Sequence, residues 1–357
     1  MKILERYVLA EFAKLLAITL LAFILLFLMV DLFENMDSLM KYKVPAWPSI
    51  MFFAYKLPFI VSQVFPIAVL MAVLLSLGIL SKHGEITSMK AGGVSLLRVV
   101  APLLAAGILI SLVVIVMNES VTPPALKKID AFKKQWFGIQ GSSFGQEGVW
   151  IRAGHGIFNI IHVDARKKEL QGLTYYSIDK PFEVKNRLQA RLVEWKDDRW
   201  VAPEATVWTF TAEGKAIESN VKDVPFDELA PQEDLANFEN FQKNMSFYEL
   251  KEYVKVLEAD GYEATKYKID LYGRIAFPLI NFIMVLVGIP FALKTGRHAG
   301  VATGVGISIV IAFSYWVVFA LTRSLGQNGI IPPMFAAAFP DILFFAIGAF
   351  MFGFVKQ

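Results

Sequence analysis

Long uncharged apolar runs recur six times along the chain and leave a polar stretch of about 150 residues between the third and the fourth. They cover residues 15–30 (extendable to about 33), 57–80, 99–117, 275–293, 301–322 and 334–355, the last interrupted only by Asp341. A hydrocarbon core about 30 Å thick takes roughly 20 apolar residues per helical span, so each run predicts a membrane-crossing helix. The first run is too long for a signal-peptide core, and no small-residue cleavage site follows it. It is therefore expected to stay as a span, with no segment removed.

The pattern changes in the polar stretch. VWIRAG from Val149, IFNIIHVDA from Ile157, LTYYSI from Leu173, LQARLVEW from Leu188 and TVWTF from Thr206 are β-branched and aromatic, partly alternating, and punctuated by Gly, Pro and Asp. These segments predict an all-β sandwich or jelly roll. They carry more large apolar residues than one solvated face needs, so an apolar inner face that meets acyl chains is expected. Helical connectors flank the insert at 125–137 and 246–258. In the second, Phe247, Leu250, Tyr253, Val254 and Leu257 recur at helical spacing, and Ser246 with Glu249 forms a capping-box start. The fold class is an α-helical membrane protein with six transmembrane helices and an inserted all-β, jelly-roll-like domain. The divisions fall at 1–124, 125–245 and 246–357.

Composition agrees with that division. Hydrophobic residues make up 55% of the 357, with 30 Phe, which is too apolar for one soluble domain of this length. The net charge of +3 matters less than its distribution. Lys2, Arg6, Lys14, Lys82, Lys90, Arg98, Lys294, Arg297 and Lys356 fall on one side of the six spans, whereas the short opposite loops hold Lys41, Lys43 and Arg323. Cationic loops stay inside, so both termini are expected in the cytoplasm and the β domain outside it. The absence of cysteine excludes disulfides, thiolate metal sites and cysteine nucleophiles, and is compatible with a bacterial periplasm.

Little in the chain suggests chemistry of its own. It has no GxxxxGK[ST] loop, so it is not expected to hydrolyse ATP, and no GxSxG. His83, His155, His162 and His298 show no ligand spacing; no cofactor, metal or catalytic residue is predicted, and no nucleic-acid partner. Gly296, Gly300, Gly304, Ser308 and Ala312 form a small-residue stripe that lets another helix approach closely. Pro58 and Pro66 in the second run, and Pro278 and Pro290 in the fourth, favour kinks. Asp341 lies inside the last span behind Pro340, where bonding to backbone freed by the kink is preferred over a proton or substrate role. At the outer end of the first span Asp31, Glu34 and Asp37 make an acidic step before Lys41 and Lys43. Asp31, these lysines and Arg323 are candidate substrate contacts, the cations for anionic headgroups or sugar phosphates. In the connection at 81–93, residues 85–90 suit a short surface helix broken by Gly92 and Gly93.

Three blocks carry a family resemblance. GEITSMKAGG at 84–93, with Glu85, Met89, Ala91 and Gly93, resembles the coupling-helix motif of the LptF/LptG permeases. The block at 245–282, with Arg274, Pro278 and Leu279, resembles the family's approach to its fourth span. GIIPP at 329–333, with Pro340, resembles the start of its last one, and the second and third blocks favour the LptG branch. The resemblance implies a permease subunit of a lipopolysaccharide exporter in the inner membrane of a Gram-negative bacterium. It implies an LptF-like second subunit, an LptB ATPase dimer docked on the coupling helices at Glu85, Ile86, Met89, Ala91 and Gly93, and LptC and LptA beyond. On that resemblance the first, second and fifth spans face the lipid, with Phe27, Phe59, Phe65, Phe313, Trp316 and Phe319 as acyl contacts. LptG members often carry a lysine near the outer end of the first span. Here Asp31 stands near that point, and Lys41, Lys43, Arg323 or the partner subunit is left to replace it. A secondary transporter and a membrane-anchored scaffolding protein remain the alternatives.

Overall fold

The computed structural model describes the chain except residues 1–2, 138–142, 146–147, 154–155, 165–167, 180–182, 197–198, 211–215, 227–228, 230–244, 260–263, 296–300 and 355–357. The chain divides into two compact units, one of residues 1–129, 246–254 and 263–357, the other of residues 130–245 and 255–262.

In chain order the helices are α1 (Ile3–Lys41), α2 (Ala46–Lys82), α3 (Glu85–Ala91), α4 (Leu96–Ser120), α5 (Thr122–Phe137), α6 (Phe247–Ala259), α7 (Thr265–Thr295), α8 (Val301–Gln327) and α9 (Pro333–Gly353). Six of them, α1, α2, α4, α7, α8 and α9, are long and apolar enough to cross a membrane. The helices overrun the apolar runs that announced them. α1 has 39 residues, about 58 Å at 1.5 Å per residue, because a charged residue ends an apolar run without ending a helix. α2 continues through Pro58 and Pro66. α5 starts at Thr122, before Pro123 and Pro124, which suit a first turn whose amides need no partner.

α2 and α7 form the centre of the membrane unit. Leu70, Val73 and Leu77 of α2, Leu103 of α4, Met284 and Val287 of α7, Tyr315 of α8 and Phe344 of α9 share one buried cluster. Lipid is as apolar as these side chains, so helix association rests on close packing and hydrogen bonds rather than on escape from water. Two glycines show how close that packing is. A Cβ at Gly107 would stand 2.9 Å from Val285 Cγ2 on α7. A Cβ at Gly304 would stand 3.3 Å from Leu75 on α2, so the partner of the small-residue stripe is α2, and its Ser308 and Ala312 are buried too. Gly296 and Gly300 of that stripe lie outside the described residues.

The capping box at the start of α6 is present as expected. Glu249 Oε2 accepts the Ser246 amide at 2.7 Å, and Ser246 Oγ accepts the Glu249 amide at 3.2 Å. Lys127 of α5 donates to Glu249 at 2.9 Å, and Glu119 at the end of α4 accepts the Phe247 amide at 2.8 Å. Burial pushes the Glu249 carboxyl up, but these bonds outweigh it and hold it below the ordinary carboxylate value.

The second unit carries the β domain. Its strands are β1 (Ser143–Gly145), β2 (Gly148–Ala153), β3 (Gly156–Asp164), β4 (Glu169–Asp179), β5 (Glu183–Lys196), β6 (Arg199–Phe210) and β7 (Ala216–Phe226). Each pairs antiparallel with its chain neighbour, in the order β1-β2-β3-β4-β5-β6-β7. The inserted all-β domain is therefore present, and among the described strands its path is a meander, without the crossover of a strict jelly roll. The sheet is nevertheless rolled. Phe158 on β3 and Phe226 on β7 have ring centroids 6.1 Å apart, whereas four strand spacings in a flat sheet would separate them by about 19 Å. Phe158, Ile160, Leu173, Leu188, Val193 and Trp200 fill the enclosed core, and Ile157 and Ile161 are half-buried.

Candidate functional site

The helix expected from 85–90 is α3, about two turns between α2 and α4. Ile86 anchors it, 6% exposed in the membrane core, with Met89 partly buried against the same cluster. Thr87, Ser88, Lys90, Ala91 and Gly93 are exposed. Its C-terminus is closed by a Schellman motif: Val94 N–H donates to the Met89 carbonyl at 3.0 Å and Gly93 N–H to the Lys90 carbonyl at 3.0 Å. That closure needs a left-handed residue, and Gly93 supplies φ +76° without a Cβ penalty. Gly84, at φ +74°, makes the turn in front. Two glycines thus fix both ends of a short helix whose apolar side is buried and whose polar side is exposed. Glu85 is half-buried, with its carboxylate 3.9 Å from His83 Nδ1.

Toward the other end of the same helices lies a second polar group. Asp31, a candidate substrate contact in the acidic step of the first span, is paired with Lys56 of α2: Lys56 Nζ is 2.8 Å and 2.9 Å from its two carboxylate oxygens. Asn35 Nδ2 donates to Asp31 Oδ1 at 3.2 Å, and the Lys56 ammonium stands 4.3 Å from the Phe52 ring centroid. The pair is largely covered, its side chains 18% and 12% exposed. Lys56 was not among the sequence candidates, because a single lysine just before an apolar run reads as the edge of a span. Its place one turn from Phe52 and Phe53 was the available signal.

The other candidates are more scattered. Lys41 lies exposed at the end of α1, with Nζ 5.7 Å from the Tyr42 ring centroid. Lys43 adopts φ 50° in the turn that closes α1, where Val44 N–H reaches the Leu39 carbonyl at 3.0 Å. Arg323, expected as a headgroup contact, is engaged by Asp270 of α7 in an ion pair. Trp316 and Phe319 join Phe277 in an aromatic cluster, with centroids at 6.0 Å and 6.2 Å. Phe65 packs against the membrane core, Phe59 is half-buried on α2, and Phe27 on α1 and Phe313 on α8 are exposed. α1 packs on α2 and α4, and α8 on α2, α7 and α9, so these aromatics are spread over several helices. Asp341 is buried and accepts the Tyr315 hydroxyl at 2.9 Å, so its partner is a side chain on α8 rather than backbone freed at Pro340. Its Oδ2 has no partner among the described residues. No group of three or more metal-ligating side chains occurs among the described residues. His155 and His298 lie outside them, and His162 is in β3.

The order of these features, three spans around a glycine-bounded helix, a β insert and three more spans, can be set against known proteins. The family model described as Lipopolysaccharide export system permease LptF/LptG matches residues 6–353. The chain belongs to the LptF/LptG family. Relatives agree on the branch. The lipopolysaccharide export system permease protein LptG of Escherichia coli (strain K12) is 25% identical over 300 residues, 80% of each chain. The LptG of Haemophilus influenzae is 21% identical over 347 residues, 96% of this chain and 95% of the relative. Within the LptF/LptG family this chain is LptG-like: a multi-pass membrane protein and a permease-type component of a transporter.

Proposed function

We propose that the chain is the LptG-type subunit of an ABC exporter that extracts lipopolysaccharide from the inner membrane and passes it to a periplasmic bridge, using ATP hydrolysed by a separate subunit. In this reading it pairs with an LptF-like subunit, an LptB dimer supplies the ATPase, and LptC and LptA receive the lipid. The termini and α3 face the cytoplasm, as the distribution of Lys and Arg supports, and residues 125–245 form the periplasmic domain. Asp31, Lys56, Lys41 and Lys43 stand where headgroup phosphates pass, with Lys56 offered as the cation that the first span lacks.

The observation that carries the coupling role is α3. A permease with no phosphate-binding loop gains ATP energy only through a contact. α3 presents a rigid one: Ile86 buried in the core, both ends set by glycine, and Glu85 at its start. A carboxylate paired with a basic residue of the ATPase in a desolvated groove accounts for about 2–5 kcal/mol when truncated, whereas the charge of a helix N-terminus accounts for about 1 or less. Glu85→Arg is therefore expected to leave the protein in the membrane, lose the copurifying ATPase and abolish export. Retention of both ATPase and export in that variant removes the coupling role. Absence of any ATPase from wild-type protein after mild extraction favours a secondary transporter or a scaffold.

A further inference from the structure

α8 is held at its two ends by different neighbours. Near the Gly326 end it lies against α9 so closely that a Cβ on Gly326 would be 2.4 Å from Ala336 Cβ, and Tyr315 still reaches Asp341 and Phe344 of α9. At the Gly304 end it packs instead on Leu75 of α2. It therefore leans away from α9, and a wedge of about 620 Å³ opens between α7, α8 and α9. Ligand pockets commonly have that size. Val287 and Phe291 form its floor, Ile307 and Val310 one wall, and Phe344 and Ile347 the other. The Ser314 hydroxyl on the rim already donates to the Val310 carbonyl at 2.8 Å, so it makes no demand on an occupant. None of the aromatic residues expected to contact acyl chains lines this wedge.

We propose that the wedge holds one acyl chain of an anionic bilayer phospholipid, with its headgroup phosphate on Lys294. The wedge lies at hydrocarbon depth in three apolar helices, so a hydrocarbon chain is what surrounds and fits it. Lys294 is exposed one turn beyond Phe291, on the face that leads out of the wedge, and supplies the complementary charge at its mouth. From the proposed function the inference takes only that this end faces the cytoplasmic leaflet. Lipid labelling is read without export, so the two readings fail independently.

The test uses the full permease complex in vesicles of phosphatidylethanolamine and phosphatidylglycerol, with a diazirine on the phosphatidylglycerol acyl chain and adducts mapped by mass spectrometry. Val310 and Ile347, 65% and 40% exposed, are expected to label well above Leu109 and Val113, apolar residues of α4 that are 62% and 51% exposed. Gly306→Leu fills the wedge without a clash, because a Cβ there has nothing within 4 Å, and is expected to remove the excess. Val310→Trp blocks the rim and serves as a second variant. Lys294→Glu is expected to lower labelling about fivefold, as for one lysine near an anionic surface, while a phosphatidylethanolamine probe is unaffected. Labelling no higher than at Leu109, an excess that survives both blocking variants, or crosslinks from Val310 to another protein chain would overturn the proposal.

Discussion

α1 and α2 are nearly the same length, 39 and 37 residues, and their most apolar stretches have nearly the same mean hydropathy, 2.8 and 2.5. Their surroundings differ sharply: 6% of the most apolar stretch of α1 is buried within the chain, against 72% for α2. From Ala68 to Leu77 every residue of α2 is buried, as in a helix surrounded on all sides. α1 touches it along one seam, where Leu16, Leu20, Phe23, Ile24 and Leu28 pack on Ile60, Val64 and Ala68. Hydropathy reports that a helix stays out of water; it does not distinguish lipid from protein as the neighbour. The bare flank of α1, with Leu21, Leu25 and Leu26 each more than half exposed, is the surface that a second permease subunit covers in the proposed assembly.

The largest expected effect separates the two helices directly. Leu70→Ala on α2 leaves a cavity in the packed core and is expected to cost about 2–5 kcal/mol. Leu26→Ala on α1, where the side chain is 61% exposed, is expected to cost about 0.5 kcal/mol or less. Reversible unfolding of the isolated chain in detergent measures both. Equal losses would mean that α1 is not bare in the single chain. If the second subunit covers that flank, Leu26→Trp weakens its copurification while leaving the isolated chain's stability unchanged.

This contrast marks how far the sequence could be read. The six spans, the β insert, α3 with its glycine stops and the Ser246–Glu249 box rest on local signals: apolar runs, alternation, glycine and capping spacing. β7 escaped because its residues are largely polar and exposed. Its strand character comes from pairing with β6, and Lys222 and Pro225 mark it as an edge. The Asp31–Lys56 and Asp270–Arg323 pairs escaped for a related reason. Each joins residues from different helices, and no spacing within one helix encodes which face turns toward which neighbour.

A middle-sized effect tests what fastens the bare helix to the buried one. The Asp31–Lys56 pair links α1 to α2 near one end of both. Truncating one partner of a fully buried pair costs about 3–5 kcal/mol, and of an exposed pair about 0–1. With side chains 12% and 18% exposed, solvent screens part of the interaction, so Asp31→Ala or Lys56→Ala is expected to cost about 1–3 kcal/mol. The exchange Asp31→Lys with Lys56→Asp is expected to recover most of that loss. Recovery of stability without recovery of export would show that Lys56 also serves the passing lipid.

The smallest effect concerns another polar tie between the same two helices. Thr19 Oγ1 lies 2.9 Å from the Leu15 carbonyl and 3.2 Å from the Leu16 carbonyl of its own helix, and 3.2 Å from the Ala68 carbonyl of α2. One hydroxyl proton serves one acceptor well at a time, and two of the three belong to α1, so its share toward α2 is modest. The Ala68 carbonyl keeps its place in the helical ladder when the hydroxyl is removed, so no buried acceptor is orphaned. Interhelical hydrogen bonds in membranes average about 0.6 kcal/mol, and Thr19→Val, which preserves shape, is expected to cost about that much. The chain has no cysteine, so Leu20→Cys with Val64→Cys across the seam gives a clean disulfide-trapping rate for α1 leaving and rejoining α2. Thr19→Val should slow trapping by less than about threefold, the kinetic equivalent of that energy. A tenfold change would mean that the two polar ties, and not the apolar seam, hold α1 in place, and the contrast between the helices would then lie in hydrogen bonding as much as in packing.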